Sequence, residues 1–385
     1  MGDGKMADIR KPAVKILQGK RSLFLTSLTV RDFSDDFYRV DRLDVQEDEG
    51  MQRLLNNARV KSFSRDILGA TNKNEAFLPT SVFLATSGKI NYDEKTRELF
   101  FDSNHSHKVC PLDVVDGQHR IEGLKKAARE NKALLDFPVA TIIATDMSEP
   151  EKMLQFVTVN TKQQTVDRGV AQHIIARFTR MLETEELPYL PSWIQKKAER
   201  GDDARALKIA KALNTYIDSP WKGRIQFADE EKNNKHHTIR QTTFVTSVKH
   251  TLLARNHPLS HFPEDKQLSI LLNYWKAIRE IFVTSDDGGK RAAVCFKYTG
   301  LEFFHSISGQ VINMLSKNRR YSVAAMKECI KSAEEHLDPE AIKMMSPKFW
   351  DVGQEAGELN ASGRYKLVTA FANALAKANS DDIEV

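Results

Sequence analysis

The segment at residues 114–123 constrains the fold of this chain more than any other part of the sequence. It reads Val-Val-Asp-Gly-Gln-His-Arg-Ile-Glu-Gly, so a short apolar run ends at Asp116 and a single glycine follows. Gly117 can adopt the backbone conformation of a tight turn. Ile121 and Leu124 then recur at helical spacing. We therefore predict a buried strand that passes directly into a helix, an arrangement typical of mixed α/β proteins.

Strand-like and helical patterns alternate through the first half of the chain. Runs rich in β-branched and aromatic residues predict strands at 22–30, 37–45, 81–86, 98–102, 111–116 and 137–144. Helical spacing predicts helices at 51–68 and from 148 to about 160, followed by a polar loop at 160–165. Beyond this loop the pattern is almost entirely helical. The predicted fold class is therefore an α/β (α+β) domain over 1–166 and a mostly helical domain over 167–385.

Composition limits the class of protein without identifying it. The chain has 57 basic and 52 acidic residues and a formal net charge of +5, which permits nucleic-acid binding but does not require it. Its 3 cysteines are far apart, which argues against a disulfide framework. A polar start without a signal-peptide core and the absence of a run of about 18 apolar residues predict a soluble, cytoplasmic protein without membrane contact.

The first turn of the helix after Gly117 carries side chains that suit an anion. Its free backbone N–H groups and the positive end of the helix dipole favour negative charge. Arg120 adds a fork of donors that matches phosphate oxygens, His119 can add a charge or a proton, and Gln118 a neutral donor. Asp116 can hold a magnesium ion or orient a water molecule. The alternative is an ordinary strand–turn–helix with polar surface residues.

Residues 116–120 form a box, Asp-Gly-Gln-His-Arg, that resembles the signature of the DGQHR-domain proteins. These proteins are part of the wider ParB/sulfiredoxin-like superfamily. Weaker similarity lies around the box, at Ala58-Arg59-Val60, at Phe77-Leu-Pro79 and at the segment that begins with Val159, and it extends over roughly residues 20–175. The resemblance implies a ParB/sulfiredoxin-like fold for the first domain.

The resemblance also implies a role for individual residues. In the superfamily the box binds the phosphates of a nucleotide, and ParB-like members hydrolyse a nucleoside triphosphate. Gln118 stands where sulfiredoxin has its reactive cysteine, so thiol chemistry is not implied. Asp116 and His119 are the implied catalytic residues, with Asp116 also a candidate Mg²⁺ ligand. The implied nucleotide-binding residues are Gly117, Gln118, His119, Arg120, Asn160, Lys162 and Gln163.

Two groups of DGQHR proteins suit a chain of this length. DpdB proteins accompany the insertion of 7-deazaguanine into DNA as the ATPase partner of a transglycosylase, and DndB proteins are DNA-binding repressors linked to DNA phosphorothioation. Overall similarity favours the DpdB group. The resemblance then implies an enzyme that binds and hydrolyses ATP with Mg²⁺, with DNA and a transglycosylase as partners. A DndB-like regulator and a ParB-like nuclease are the alternatives, and a homo-oligomer stays open.

Three basic clusters in the second half are candidates for DNA contact. Their members are Lys196, Lys197, Arg200, Lys235, Arg240, Arg319 and Arg320. The alternative is an ordinary mixed-charge surface, since Glu199, Asp202 and Asp203 dilute the first cluster. The four tryptophans are scattered, which predicts that most of them lie in the core.

Basic residues near the box leave two interpretations open. Lys125 follows the box on its helix, where an exposed helix face is favoured over a phosphate contact. Arg59 and Arg65 flank the predicted helix at 51–68, and both a contact with the site and structural ion pairs are compatible with their positions.

Overall fold

The strand-to-helix junction predicted at residue 117 lies in a mixed α/β unit. The computed structural model describes residues 9–101, 110–162, 168–182, 187–230, 234–284 and 293–381. The chain divides into two compact units, Met1–Ile174 with Arg180–Ser192, and Ile175–Thr179 with Trp193–Val385. The domain boundary expected at residue 166 stays a prediction. Within the described residues, no helix is long and apolar enough to cross a membrane.

One eight-stranded mixed sheet forms the framework of the first unit, in the order β3-β7-β4-β8-β2-β1-β6-β5. Its strands are β1 (Ile9–Gln18), β2 (Arg21–Thr29), β3 (Tyr38–Arg39), β4 (Val82–Ala85), β5 (Asn91–Asp93), β6 (Glu98–Phe101), β7 (Leu112–Asp116) and β8 (Pro138–Ala144). Strand β7 pairs parallel with β3 and antiparallel with β4, so it has a hydrogen-bonded neighbour on each side. The strand that leads to the box is therefore fixed by the sheet on both edges.

Four helices follow strands of this sheet in sequence. They are α1 (Asn57–Asn72), α2 (Gln118–Glu130), α3 (Glu149–Lys162) and α4 (Arg168–Met181). Helices α1 and α2 pack closely because Gly123 has no side chain, and a Cβ atom there would lie 2.5 Å from Cδ1 of Phe63. Val114, Ile121 and Leu124 are buried in the same hydrophobic core. The start of α2 is thus held by the sheet and by α1.

Helices dominate the second unit. They are α5 (Ser192–Arg200), α6 (Asp202–Thr215), α7 (Gln241–His250), α8 (Glu264–Phe282), α9 (Tyr298–Ser316), α10 (Val323–Ser332), α11 (Glu355–Glu358) and α12 (Ala361–Asp381). The short strands β9 (Ile225–Gln226) and β10 (Ile239–Arg240) pair in parallel. Trp275 lies in the core, with ring centroids of Trp221 at 4.9 Å and Phe304 at 5.9 Å. The described helices bury large aromatic rings against one another, as an amphipathic helical pattern requires.

The sequence predicted most of the strands and the helix starts. Five of the six predicted strands match β2, β4, β6, β7 and β8 to within one or two residues. The helix start at Ser148 is confirmed, because Glu151 Oε2 accepts hydrogen bonds from the Ser148 N–H at 2.8 Å and from its Oγ at 3.0 Å.

Other predictions were wrong in extent. The run at 37–45 forms only the two-residue strand β3, and the chain then turns back so that the Leu43 N–H donates to the Gln52 carbonyl at 2.8 Å. The helix expected from residue 51 begins at Asn57, because the Asn56 side chain caps it. The loop expected from residue 160 starts later, since α3 extends to Lys162. Strand β1 was not predicted, because lysine, arginine and proline interrupt its apolar pattern.

Candidate functional site

The junction between β7 and α2 has the geometry that the sequence predicted. Strand β7 ends at Asp116, Gly117 has φ 107° and ψ 8°, and α2 begins at Gln118. A Cβ atom on residue 117 would lie 3.0 Å from Cγ2 of Val82, so both the turn and the close approach of β4 call for glycine. The carbonyl of Gly117 accepts the Arg120 N–H at 2.9 Å. The N–H groups at the first two positions of a helix have no intrahelical acceptor, so the first two N–H groups of α2 point out of the helix start.

His119 connects this helix start to a second one. The backbone N–H of Asn56 donates to His119 Nε2 at 3.0 Å. Asn56 is the N-cap of α1, and its side chain accepts the N–H groups of Ala58 at 3.1 Å and Arg59 at 3.2 Å. The N-termini of α1 and α2 therefore meet at this hydrogen bond. Each brings the positive end of a helix dipole to the same place.

The surroundings of His119 keep its imidazole neutral near pH 7. Burial, together with the positive charges of Arg53 and Arg59, lowers the pKa of His119 to about 4, against the opposing effect of Asp116. Since Nε2 accepts the Asn56 N–H, the ring proton lies on Nδ1. His119 is therefore neutral at pH 7 and does not add a positive charge there, and its catalytic role stays a prediction.

Two arginines near His119 extend the site beyond the box. Sequence reasoning missed Arg53 and left Arg59 undecided, although the two lie on either side of the helix-capping Asn56. Their charges act on His119, which places them near the start of α2. The sequence signal that could have identified these arginines is the Asn56 cap between them. A helix N-terminus flanked by arginines favours anions in the same way as the box does.

Asp116 and Arg120 form an ion pair across the first turn. Arg120 Nη2 donates to Asp116 Oδ2, and both side chains are mostly buried. The N–H donors of a guanidinium suit a phosphate as well as a carboxylate. An anion at the helix start would therefore compete with Asp116 for Arg120, and the carboxylate is the group that this competition releases.

Gln118 is the least exposed polar member of the box. Its side chain is 5% exposed, and its Oε1 has no hydrogen-bond partner among the described residues. A buried amide oxygen without a partner is unfavourable, so such atoms usually mark a place where another group donates. Gln118 thus adds an acceptor at the first helical residue, beside the N–H groups that face an anion.

The strand that carries Asp116 is braced from both sides. Gln52 Nε2 donates to the carbonyls of Val114 at 2.7 Å and Val115 at 3.0 Å. Asp113 is buried and binds Lys152 Nζ at 2.5 Å and Nε of Arg39. These contacts fix β7 against α3 and leave Asp116 as the last residue of a rigid strand.

Lys125 belongs to a structural network on α2. Its Nζ binds Asp35 Oδ1 at 2.8 Å and Tyr38 Oη at 3.1 Å, while Tyr38 Oη donates to Glu122 Oε1 at 2.6 Å. Lys125 is therefore neither a simple solvated residue nor a phosphate contact, because its ammonium group is used inside the unit.

The remaining nucleotide-binding residues predicted from the sequence lie at the end of α3. Asn160 is helical, and its Nδ2 donates to the carbonyl of Phe156 at 2.8 Å. Lys162 is the last residue of α3, and its side chain and Gln163 lie outside the described residues. Their contact with a nucleotide stays a prediction.

The basic residues predicted to contact DNA are all exposed. They are Lys196, Lys197 and Arg200 on α5, Lys235 and Arg240 before α7, and Arg319 and Arg320 between α9 and α10. Exposure is what a phosphate contact requires, and their role in DNA binding stays a prediction.

Asp116 is the candidate magnesium ligand from the box. Across the residues that the structure describes, no group of three or more histidine, cysteine, aspartate or glutamate side chains is arranged to hold a metal ion. Mg²⁺ is commonly bound through one or two carboxylates together with substrate phosphates. Mg²⁺ binding by Asp116 together with a nucleotide stays a prediction.

Comparison with known proteins gives one match. The model of a family described as DndB, DNA-sulfur modification-associated, matches residues 11–186. This range contains the box, Arg53, Arg59 and all of the eight-stranded sheet except the first two residues of β1. No curated protein and no solved structure matches the chain. The match supports the resemblance to DNA-modification proteins and favours the DndB group over the DpdB group. The DGQHR and ParB assignments stay predictions.

Proposed function

We propose that the junction of β7 and α2 binds the phosphates of a nucleoside triphosphate and hydrolyses it, within a DNA-modification system. The hydrogen bond between the Asn56 N–H and His119 Nε2 carries this proposal, because it brings two helix N-termini together. Two positive dipole ends at one place favour a polyanion more than the single helix start of an ordinary turn does.

Arginine charge adds to the dipoles. The charges of Arg53 and Arg59 reach His119, and Arg120 stands one residue further along α2. Guanidinium groups bind phosphate through paired N–H donors, and such charge-assisted bonds are about twice as strong as neutral ones. The buried Oε1 of Gln118 suits a hydroxyl or amino donor of the same ligand.

Hydrolysis is proposed through Asp116. When a phosphate takes the N–H donors of Arg120, the Asp116 carboxylate is released from its ion pair. A carboxylate beside the phosphates can orient the attacking water. A bound Mg²⁺ would neutralise charge on the phosphates, with Asp116 as the protein ligand. His119, with a pKa of about 4, is neutral at pH 7 and acts as a positioning residue.

The match to a DNA-sulfur modification-associated family supports a sulfur-modification system as the context. DNA is then the proposed partner, through the exposed basic residues of the second unit. The 7-deazaguanine reaction and a transglycosylase partner rest on the resemblance to DpdB proteins alone.

A DNA-binding regulator of DndB type is the second candidate. The family match favours it, and it requires DNA binding but no turnover. The two candidates therefore differ in one measurable property, phosphate release from a nucleoside triphosphate.

The test is phosphate release from ATP and from other nucleoside triphosphates with Mg²⁺, in the presence and absence of duplex DNA. We expect the native chain to turn over, Asp116→Asn to bind nucleotide without turnover, and Arg120→Ala to bind it about 10- to 100-fold more weakly, as expected for a lost charged hydrogen bond. Arg59→Ala should also weaken binding. Arg65→Ala is the matched control, since Arg65 is exposed on the same helix and should behave as native.

The outcomes separate the candidates. Failure of the native chain to bind any nucleotide, or Arg120→Ala binding as native, would overturn the proposal. Nucleotide-independent DNA binding without turnover would establish the regulator instead.

A further inference from the structure

Helix α5 presents one face to the core and an opposite face of unusual composition to solvent. Ile194 and Ala198, four residues apart, are fully buried. The exposed face carries residues at the spacing i, i+3, i+4 and i+7, which places them in one line along the helix. This stripe consists of Trp193, Lys196, Lys197 and Arg200.

Trp193 is the member of the stripe that the sequence did not predict. Trp221, Trp275 and Trp350 are fully buried, as expected for core tryptophans, whereas Trp193 is 40% exposed. The Nζ atom of Lys197 lies 5.6 Å from the centroid of the Trp193 ring. An exposed indole with an ammonium group over its ring brings an aromatic surface and a positive charge together.

One of the three acidic residues near the stripe is neutralised by a contact that the sequence does not reveal. Glu199 accepts a hydrogen bond at 2.8 Å from the glutamine four residues before it, on a neighbouring face of the helix. Asp203 is 5% exposed and pairs with Lys249 at 2.7 Å. Asp202 is the acidic neighbour of Arg200, at 3.9 Å from its Nε. Asp203 is therefore paired outside the stripe, whereas Glu199 and Asp202 stay close to it.

We propose that the stripe binds single-stranded or locally unpaired DNA, with the Trp193 ring stacked on a base and the three cations on the flanking phosphates. Single-strand binders combine a positive surface with aromatic rings on which bases stack. A paired duplex offers phosphates to the cations but keeps its base faces covered. The inference rests on the DNA-binding part of the proposed function and specifies the form of DNA.

Tryptophan fluorescence tests the stacking directly. Since three of the four tryptophans are fully buried, an oligothymidine strand should quench the emission of Trp193, and Trp193→Phe should abolish that quenching. By fluorescence anisotropy, Trp193→Ala should weaken single-strand binding between about 5- and 100-fold, the range for loss of one stacked base. Binding of a blunt duplex of equal length should not change.

Tyr216→Ala is the matched control, because Tyr216 is 43% exposed in the same unit without neighbouring stripe residues, and it should bind as native. Equal quenching in native and Trp193→Phe, or unchanged single-strand affinity in Trp193→Ala, overturns the stacking. If Lys196→Gln loses DNA binding while Trp193→Ala binds as native, the proposal of DNA binding stands and only the stacking inference is overturned. If the native chain binds neither single-stranded nor duplex DNA, both the stacking inference and the proposed DNA binding are overturned. Nucleotide binding at the box is measured in a separate experiment.

Discussion

The start of α2 and the core of the helical unit both contain half-buried or buried histidines, and the surroundings of these histidines differ. At the start of α2, the pKa of His119 is lowered to about 4. In the helical unit, burial lowers the pKa of His257 to about 4 and that of His305 to about 3. Burial is the first cause in all three cases, so the pKa direction alone does not distinguish the regions.

The neighbours of each histidine show the difference. His305 is fully buried, with Nδ1 2.9 Å from Ser247 Oγ and its ring centroid 5.6 Å from that of Trp275. His257 Nε2 lies 3.0 Å from Ser308 Oγ. Each of these histidines lies within hydrogen-bond distance of a serine hydroxyl, and His305 also packs against aromatic rings, a pattern typical of a core.

His119 lies among charges instead. Arg53 and Arg59 lower its pKa, and Asp116 opposes them. A perturbed histidine surrounded by charged groups at the starts of two helices is a candidate for binding, whereas one matched to hydroxyls is a candidate for stability. The charged groups near such a histidine, rather than its pKa, therefore distinguish a candidate binding residue from a residue that stabilises the core.

The largest expected effect is on the core of the helical unit. Trp275→Ala should lower the free energy of unfolding by about 3–5 kcal/mol, because it opens a large cavity among packed rings. Trp193→Ala, on the exposed stripe, should change it by about 0.5 kcal/mol or less. Urea titration followed by circular dichroism measures both. Similar losses in the two variants would contradict the burial pattern on which the comparison depends.

Acid should destabilise the fold through the histidines of both regions. The unfolded pKa of histidine is about 6.5, so His305 binds a proton more readily in the unfolded chain. Its contribution to stability is therefore present above about pH 6.5 and is lost as the pH falls toward 3, at up to about 1.4 kcal/mol per pH unit. His305→Gln keeps a hydrogen-bonding side chain but cannot titrate, so it should flatten this slope.

Urea midpoints at several pH values between 7 and 4 measure the slope. The comparison variant is His119→Gln, which removes another histidine with a lowered pKa and should reduce the acid slope by a similar amount, but which should also weaken nucleotide binding at pH 7. Parallel slopes for the native chain and His305→Gln would show that His305 does not carry the acid sensitivity.

The parts of the site that the sequence predicted are local, and the parts that it missed join distant segments. An apolar run, a glycine and a helical pattern predict the junction because all three lie within ten residues of one another. The contact of Asn56 with His119 spans 63 positions and depends on how α1 packs against α2, so no spacing rule reveals it. Arg53 was missed for the same reason.

Surface charge shows a similar limit. The periodicity of α5 predicts a helix but not which face is covered, so the exposure of Trp193 was not visible in the sequence. The burial of Asp203 against Lys249 likewise depends on a contact 46 positions away. Charge counted along the chain therefore overestimated how far acidic residues neutralise this helix.

The smallest expected effect concerns the turn itself, and two glycines allow it to be isolated. Gly117 and Gly223 both have positive φ, at 107° and 66°, but a Cβ atom on Gly117 would lie 3.0 Å from Val82 Cγ2, while on Gly223 nothing described lies within 4 Å. Gly223→Ala should cost about 1 kcal/mol, for the backbone conformation alone. Gly117→Ala should cost about 2 kcal/mol, since the close approach to β4 adds to the backbone strain.

The nucleotide affinity of the two variants then shows whether the turn at Gly117 positions the start of α2 for binding. Because a displaced Gly117 shifts the first N–H groups of α2, Gly117→Ala should weaken nucleotide binding while Gly223→Ala leaves it unchanged, as isothermal titration calorimetry would show. If the two variants lose equal stability and both bind nucleotide as native, the approach of β4 to the turn does not position the helix start. Phosphate binding would then depend on the arginines alone. The junction would contribute to stability, as the core of the helical unit does, and not to binding.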